Sequence, residues 1–482
     1  MTSGRSATSG TLWMATNGAV SQGLSFGVFI VLARMMAPAD YGLIALSMTV
    51  ISILIAGSRL GLEKLLVQLE SAGRTETDTA FFFAVLLGSM LALALWLTAP
   101  PIAALVDTPD LEPVLRALAP VVVLKAFEAV PLGLLTRELR FKAISLGTTL
   151  ALAAGGIAGI AMAVNGFGVW ALVSQEIVKA TLSLAALSSV CGWRPGLSVS
   201  LKAGRNMLAA SLHIMGADIV RLAQNYTDRF LIGSLLGASS LGVYTVAAKV
   251  DQSAAIVLHE PLGRVGLSTL SRARGNATEL ASVYYRSQRI GAAVTLPVFV
   301  MLALTAPSVV PLLLGEHWQD CVPILQALCV ASCAGSVRVF NNPLLLAVGR
   351  PEVAFRLSIL SAVTGLVACI IAIPWGILAV SIAFALRAWL ILPLELSLCR
   401  RCAGIPGGPV WAGLAGRLLT LLPMILVVVG FQSMAPDWRP WPLLISTVLM
   451  GIATYALALT VTDRPLARLL LAAPASLLRR NR

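Results

Sequence analysis

Apolar residues fill this chain in long runs that short polar connections interrupt from end to end. About 20 such residues in a helix cross roughly 30 Å of hydrocarbon. Fourteen runs meet that length and predict helices at 11–33, 41–66, 79–105, 112–135, 142–164, 168–190, 203–236, 240–262, 286–313, 321–347, 355–373, 376–398, 411–431 and 440–461. The expected fold class is therefore an all-α polytopic membrane protein. The first run resembles a signal peptide only in having Ala37 and Ala39 before Asp40. It is longer than a signal core and contains Asn17 and Gln22, so it reads as a retained first helix. The run at 203–236 is overlong and polar, which predicts a tilted, broken or part-interfacial helix.

The order of runs repeats. Sliding Leu32–Glu70 forward by 200 positions lays Gly42 on Gly242, Val50 on Val250, Leu62 on Leu262 and Lys64 on Arg264. PVLRAL from Pro113 returns as PILQAL from Pro323, and PLGLL from Pro131 as PLLLA from Pro343. Phe141-Lys142 returns as Phe355-Arg356, and GVWAL from Gly168 as GILAV from Gly376. The offset spans an even number of helices, so both copies share one orientation, as parallel repeats about an axis along the membrane normal. The expectation is an N-lobe of helices 1–6 over 1–200, a C-lobe of helices 7–12 over 201–402, and two further helices with a basic tail over 403–482.

Composition narrows the function. With 58% hydrophobic and 12% charged residues, the chain lies far from soluble domains, where about 25% charge is ordinary. The net charge of +13 is spread through short loops and forms no basic patch interleaved with aromatics, which argues against nucleic acid. Its sidedness explains it: Lys64, Arg137, Arg140, Lys142, Arg400 and Arg401 fall on one face, and only Arg34, Arg116 and Arg439 on the other. Basic loops stay inside, so both termini are expected on the cytoplasmic side of the membrane. Cys399 and Cys402 have half a zinc spacing without a second pair, so no metal site is expected. Three histidines, with no H-E-x-x-H, G-x-S-x-G or P-loop, offer little for a catalytic centre, and the chain does not read as an enzyme.

Charges inside apolar runs must face a cavity, a partner or an interface. Asp218, Arg221, Asn225 and Asp228 form one helical stripe, with His213 and Arg229 nearby. The stripe either lines a water-filled cavity or neutralises itself, since Asp218 and Arg221 are an i,i+3 pair. Arg59 shares a face with Ser52 and Glu63, and either faces inward or snorkels to the interface. Lys125 with Glu128, and Glu176 with Lys179, are spaced to satisfy each other. Arg338 and Arg387 have no acid one turn away. They either pair with an acid on a neighbouring helix or offer a guanidinium to an anionic ligand, phosphate above all. Gly155 and Gly159 form a GxxxG that reads as helix packing.

The run NYTDRFLIGSLLG at Asn225–Gly237, LGVYTVAAK from Leu241, and LARMMAPADYG from Leu32 resemble the polysaccharide transporters of the multidrug/oligosaccharidyl-lipid/polysaccharide exporter superfamily. The resemblance covers essentially the whole chain. It implies flipping of a polyprenyl-pyrophosphate-linked oligosaccharide for exopolysaccharide, capsule or O-antigen assembly, by alternating access of two lobes. It also implies membrane lipids and polysaccharide polymerase or co-assembly proteins as partners, and coupling to a proton or sodium gradient instead of a bound cofactor. On these residues, Arg59, Arg221, Asn225, Arg338 and Arg387 are the expected substrate-binding set, and Asp218 or Asp228 the ion-coupling acid. Related flippases of lipid-linked peptidoglycan precursors use acids on helices 7 and 11 for sodium, and helix 11 here offers only Ser358, Ser361 and Thr364, so protonation is the simpler expectation. The alternatives are a drug or metabolite cation antiporter of the same superfamily and a membrane polysaccharide polymerase or ligase. The second would need a sizeable outer loop with catalytic basic residues, and the outer connections are short and acidic.

Overall fold

The computed structural model describes the backbone of residues 3–59, 61–68, 73–196, 198–405, 410–434 and 440–468. Side chains are described from 18 onward within those ranges, except 201, 203, 206, 208–210, 212–225 and 410–415. The described residues form fifteen α-helices and no strand: α1 Ser3–Met35, α2 Pro38–Arg59, α3 Leu62–Gln68, α4 Arg74–Leu105, α5 Leu111–Arg137, α6 Phe141–Val164, α7 Trp170–Cys191, α8 Leu201–Ala273, α9 Ala277–Leu314, α10 Cys321–Arg338, α11 Asn341–Ala347, α12 Pro351–Ala372, α13 Ile377–Ala403, α14 Val410–Met434 and α15 Pro440–Thr462. Among them, 12 stretches are long and apolar enough to cross a membrane, with α2–α3 and α10–α11 each counting as one. Of the two other expected spans, α7 is less apolar because it carries Gln175, Glu176 and Lys179. The other is the first limb of α8, whose side chains lie largely outside the described residues. Leu86, Met90, Leu93 and Leu97 lie exposed along one face of α4, as suits a helix in contact with lipid.

Four boundaries differ from the expected ones, each for an identifiable reason. The helix expected at 41–66 divides at Gly61, whose φ of 66° is open to a residue without Cβ. The helix expected at 321–347 divides after Arg338. There a buried network takes over: Tyr284 Oη donates to Asn341 Oδ1 at 2.7 Å, and Gln288 Nε2 donates to Tyr284 Oη at 2.8 Å and to the Val337 carbonyl at 3.2 Å. That last bond serves a carbonyl at a helix end, where backbone groups lack intrahelical partners. The helices expected at 203–236 and 240–262 are limbs of one element, α8, interrupted only at Gly237 (φ 84°, ψ 168°) and continuing to Ala273. Helix α9 starts at Ala277, well before residue 286, because Asn276 caps it by accepting from the Thr278 and Glu279 amides at 2.9 and 3.3 Å.

The chain divides into two compact units, Met1–Val246 and Ala247–Arg482. In the first, Leu62, Leu65 and Leu66 of α3 pack with Phe81 and Ala84 of α4 and Ala126 and Val130 of α5. The GxxxG of α6 packs on α7 as expected: a Cβ on Gly155 would lie 2.7 Å from the Gln175 carbonyl, and one on Gly159 3.1 Å from that of Ala171. In the second, Tyr284 of α9, Phe340, Leu344 and Leu345 around α11, and Cys399 of α13 share one buried core.

The repeat has a physical counterpart inside the first unit. A Cβ on Gly42 would overlap the carbonyl of Ala238, and a Cβ on Gly242 would overlap the carbonyl of Pro38. Gly42 and Gly242, like Pro38 and Ala238, are 200 positions apart, so the two turns touch reciprocally, backbone on backbone. Gly42→Ala or Gly242→Ala is expected to destabilise the detergent-solubilised protein by at least about 1–3 kcal/mol, the ordinary cost of overpacking, read as a fall in thermal midpoint. Gly57→Ala, whose Cβ would meet Leu91 at an unstrained 3.5 Å, is expected to leave the midpoint level or raise it.

Candidate functional site

Intramembrane charge in the first unit gathers where α2, α3, α5 and α7 meet. Arg59, at the end of α2, pairs with Glu63 of α3 at 3.1 Å, lies 4.0 Å from Glu128 of α5, and donates to the Lys125 carbonyl at 3.4 Å. Glu128 is buried and also takes Lys125 Nζ, one turn back, and Ser183 Oγ of α7 at 3.2 Å. Two cations and two acids close this cluster, so Arg59 lies within an ion-pair network. Lys125 with Glu128 and Lys179 with Glu176 pair along their own helices as the spacing predicts.

The break at Gly237 folds α8 back on itself, and Tyr244 Oη donates to Asp228 Oδ2 at 2.9 Å. Asp228 Oδ1 accepts from the Arg229 amide at 2.8 Å. The Arg229 guanidinium lies 5.5 Å from the Tyr226 ring centre, and Ser52 Oγ of α2 donates to Tyr226 Oη at 3.3 Å. The backbone carrying Asp218, Arg221 and Asn225 is helical within α8. Their side chains, with that of His213, lie outside the described residues.

In the second unit α10 carries a polar seam. Ser332 Oγ donates to Asp251 Oδ2 of α8 at 2.9 Å, and His259 Nε2, two turns further along α8, shares a hydrogen bond with Ser336 Oγ at 3.2 Å. At the end of α10, Arg338 pairs with Glu395 of α13 at 3.5 Å. Arg338 is thus not unpaired: its acid lies on a neighbouring helix, 57 positions away. Arg387 of α13 uses its Nη1 for the Ser361 carbonyl and for Ser361 Oγ, at 3.1 Å, both on α12, and Gly365 leaves room for it.

Other buried charges escaped the sequence reading. Asp78, fully buried in α4, accepts from the amides of Gly196 at 3.2 Å and Ser198 at 3.4 Å and so anchors the connection after α7. Asp463, just past α15, accepts from Arg289 of α9 through both oxygens and from Arg417 of α14 at 2.9 Å. Burial alone would lift the Asp463 carboxyl, but hydrogen bonds from Arg289 and the Leu466 amide and the two arginine charges outweigh it and hold it below the usual carboxylate range. Neither acid sits at helical spacing from its partners, so no periodicity signals them.

Comparison with known proteins agrees with the geometry. The profile of the family described as polysaccharide biosynthesis protein matches residues 31–323. The succinoglycan biosynthesis transport protein ExoT of Rhizobium meliloti (strain 1021) is 24% identical over 469 residues, 95% of this chain and 94% of its own. The lipopolysaccharide biosynthesis protein WzxC of Escherichia coli (strain K12) is 25% identical over 365 residues, 73% of this chain and 72% of its own. The lipid II flippase MurJ, in an inward closed conformation, superposes with a TM-score of 0.78 at 14% identity, covering 95% of this chain and all of its own. This last likeness establishes the fold.

Two stability predictions follow from the ion pairs. Glu128→Ala strands Lys125 beside a buried gap and leaves Arg59 to Glu63 alone, and it is expected to cost about 3 kcal/mol. Glu112→Ala, which breaks a more exposed α5 pair with Arg116, should cost under about 1 kcal/mol; thermal unfolding in detergent compares them. Because the Asp463 carboxyl is held low, its contribution is complete above the unfolded value of about 4 and is lost as pH falls through the lowered folded value. Hydrogen exchange in α15 is therefore expected to rise on acidification below about pH 4, and in Asp463→Asn to be faster at neutral pH and to lack that acid step.

Proposed function

This chain belongs to the polysaccharide biosynthesis protein family, and from that premise we propose that it flips a polyprenyl-pyrophosphate-linked oligosaccharide across the bacterial inner membrane for exopolysaccharide, capsule or O-antigen assembly. The chain spans the membrane many times, and ExoT, a succinoglycan biosynthesis transport protein, aligns with nearly all of it. Its task is carriage of a finished lipid-linked unit, with glycosidic chemistry left to a polymerase. Residues 1–200 and 201–402 act as the alternating lobes, 403–482 append to the second, and both termini lie in the cytoplasm.

The observation that carries the reading is Arg387. Its guanidinium sits within a membrane-spanning helix and is held in place by a carbonyl and a hydroxyl of α12, and a planar cation at that depth is costly and has the geometry that suits a phosphate. Arg338, at 3.5 Å from Glu395, holds its acid at the long end of ion-pair distance and can trade it for pyrophosphate. Arg59, Arg221 and Asn225 extend the polar surface for the diphosphate and sugars, and Asp218 or Asp228 couples the cycle to a proton or sodium gradient.

The test is complementation of a deletion strain. Arg387→Ala and Arg338→Ala are expected to reduce surface polysaccharide at least about tenfold, the value of one charge-assisted hydrogen bond, at unchanged membrane levels. The lipid-linked intermediate should accumulate on the cytoplasmic leaflet. Arg387→Lys should recover only part, since an ammonium cannot bind bidentately. Wild-type polymer from both alanine variants would remove the assignment.

A further inference from the structure

Asp251 lies 14 residues past Gly237 on α8, in a stretch long and apolar enough to cross a membrane. It is 8% exposed. The carboxylate accepts from Ser332 at Oδ2 and from the Cys329 thiol, and Oδ1 is buried with no hydrogen-bond partner of its own. Its surroundings supply no cation among the described residues. From α10 the titratable neighbours are the Cys329 and Cys333 thiols, and Arg338, further along, is held by Glu395. On its own helix Lys249 is two residues back and so on the opposite side. His259 is engaged by Ser336 and stacks against Phe299 of α9 at 5.4 Å. Asp228 differs in having both oxygens hydrogen-bonded and Arg229 beside it.

A carboxylate taken out of water with no cation costs several kcal/mol. A proton removes that cost, and one oxygen stands open to take it. We propose that Asp251 is an additional proton-carrying site of this transporter, loaded while the carboxyl is sealed against α10 and unloaded when the seam opens to water. The inference rests on the ion-coupled flippase reading for its role in transport, though not for the binding of the proton itself. The seam marks where water would reach the acid: Ser336 Oγ donates to the Ser332 carbonyl at 3.0 Å and meets His259 Nε2, so polar groups continue from Asp251 toward the Arg338 end of α10, and water entering the opened seam carries the proton between them. On loading, a hydronium O–H breaks as the acid O–H forms; on unloading, the acid O–H breaks as a water takes the proton, the two waters lying on opposite sides.

Two measurements on purified wild-type protein and Asp251→Asn test this. Infrared difference spectra at neutral pH are expected to contain a neutral carboxylic-acid carbonyl band that is missing from Asp251→Asn. A spectrum unchanged by the substitution overturns the proposal whether or not the protein flips glycolipid. In proteoliposomes loaded with lipid-linked oligosaccharide, Asp251→Asn is expected to keep its thermal midpoint and gradient-free exchange while pH-gradient-driven transport falls at least tenfold. Driven transport equal to wild type, loss of exchange together with a lowered midpoint, or dependence on sodium instead of pH each overturns it. Wild-type protein that shows the band but moves no glycolipid removes the flippase reading and leaves the proton site standing.

Discussion

A charge inside hydrocarbon has to be answered by another charge, a hydrogen bond or water, and the interior of this protein is arranged by that constraint. The exposed Leu86 to Leu97 stripe of α4 carries no charged residue, so the cost of ionisable groups falls on helix contacts. Each described cluster joins helices that apolar packing alone would leave free to slide. Arg59 and Glu128 join α2 to α5, Ser183 adds α7, Glu395 joins α13 to α10, and Asp463 ties α14 and α15 to α9. Packing fixes the distance between helices; these pairs fix their register.

Features written locally were legible in the sequence. Helix existence follows from run length, and the GxxxG contact and the i,i+3 pairs at Lys125 and Lys179 follow from helical spacing, all of which the structure reproduces. The repeat was legible too, because Gly42 and Gly242 meet the same steric demand twice. Unreadable were features that need a partner distant in sequence. Glu395 gives no hint that it answers Arg338, and Asp463 none that it gathers Arg289 and Arg417, because the contacts cross 57, 174 and 46 positions. Gly61 escaped for another reason: a single left-handed residue in an apolar run leaves the hydropathy untouched while ending the helix.

The reciprocal glycine contact and the charged clusters show what duplication preserves and what it releases. Backbone apposition tolerates no Cβ on either side, so both copies must keep glycine there. Charge has no such requirement, since any arrangement that neutralises itself satisfies the hydrocarbon. The copies have accordingly diverged: the position of Arg59 in the first is that of His259 in the second, and Glu128 corresponds to Arg338. In the first unit two cations and two acids close on one another around Glu128. In the second, histidine stands at the position of Arg59, and Asp251 has hydroxyl and thiol neighbours and no counter-charge among the described residues. A saturated cluster resists change, because moving one member strands another. An acid that only a proton neutralises can alternate between two conditions at small structural cost, and among the described residues that capacity lies at Asp251, which stands where the first copy has Ile51.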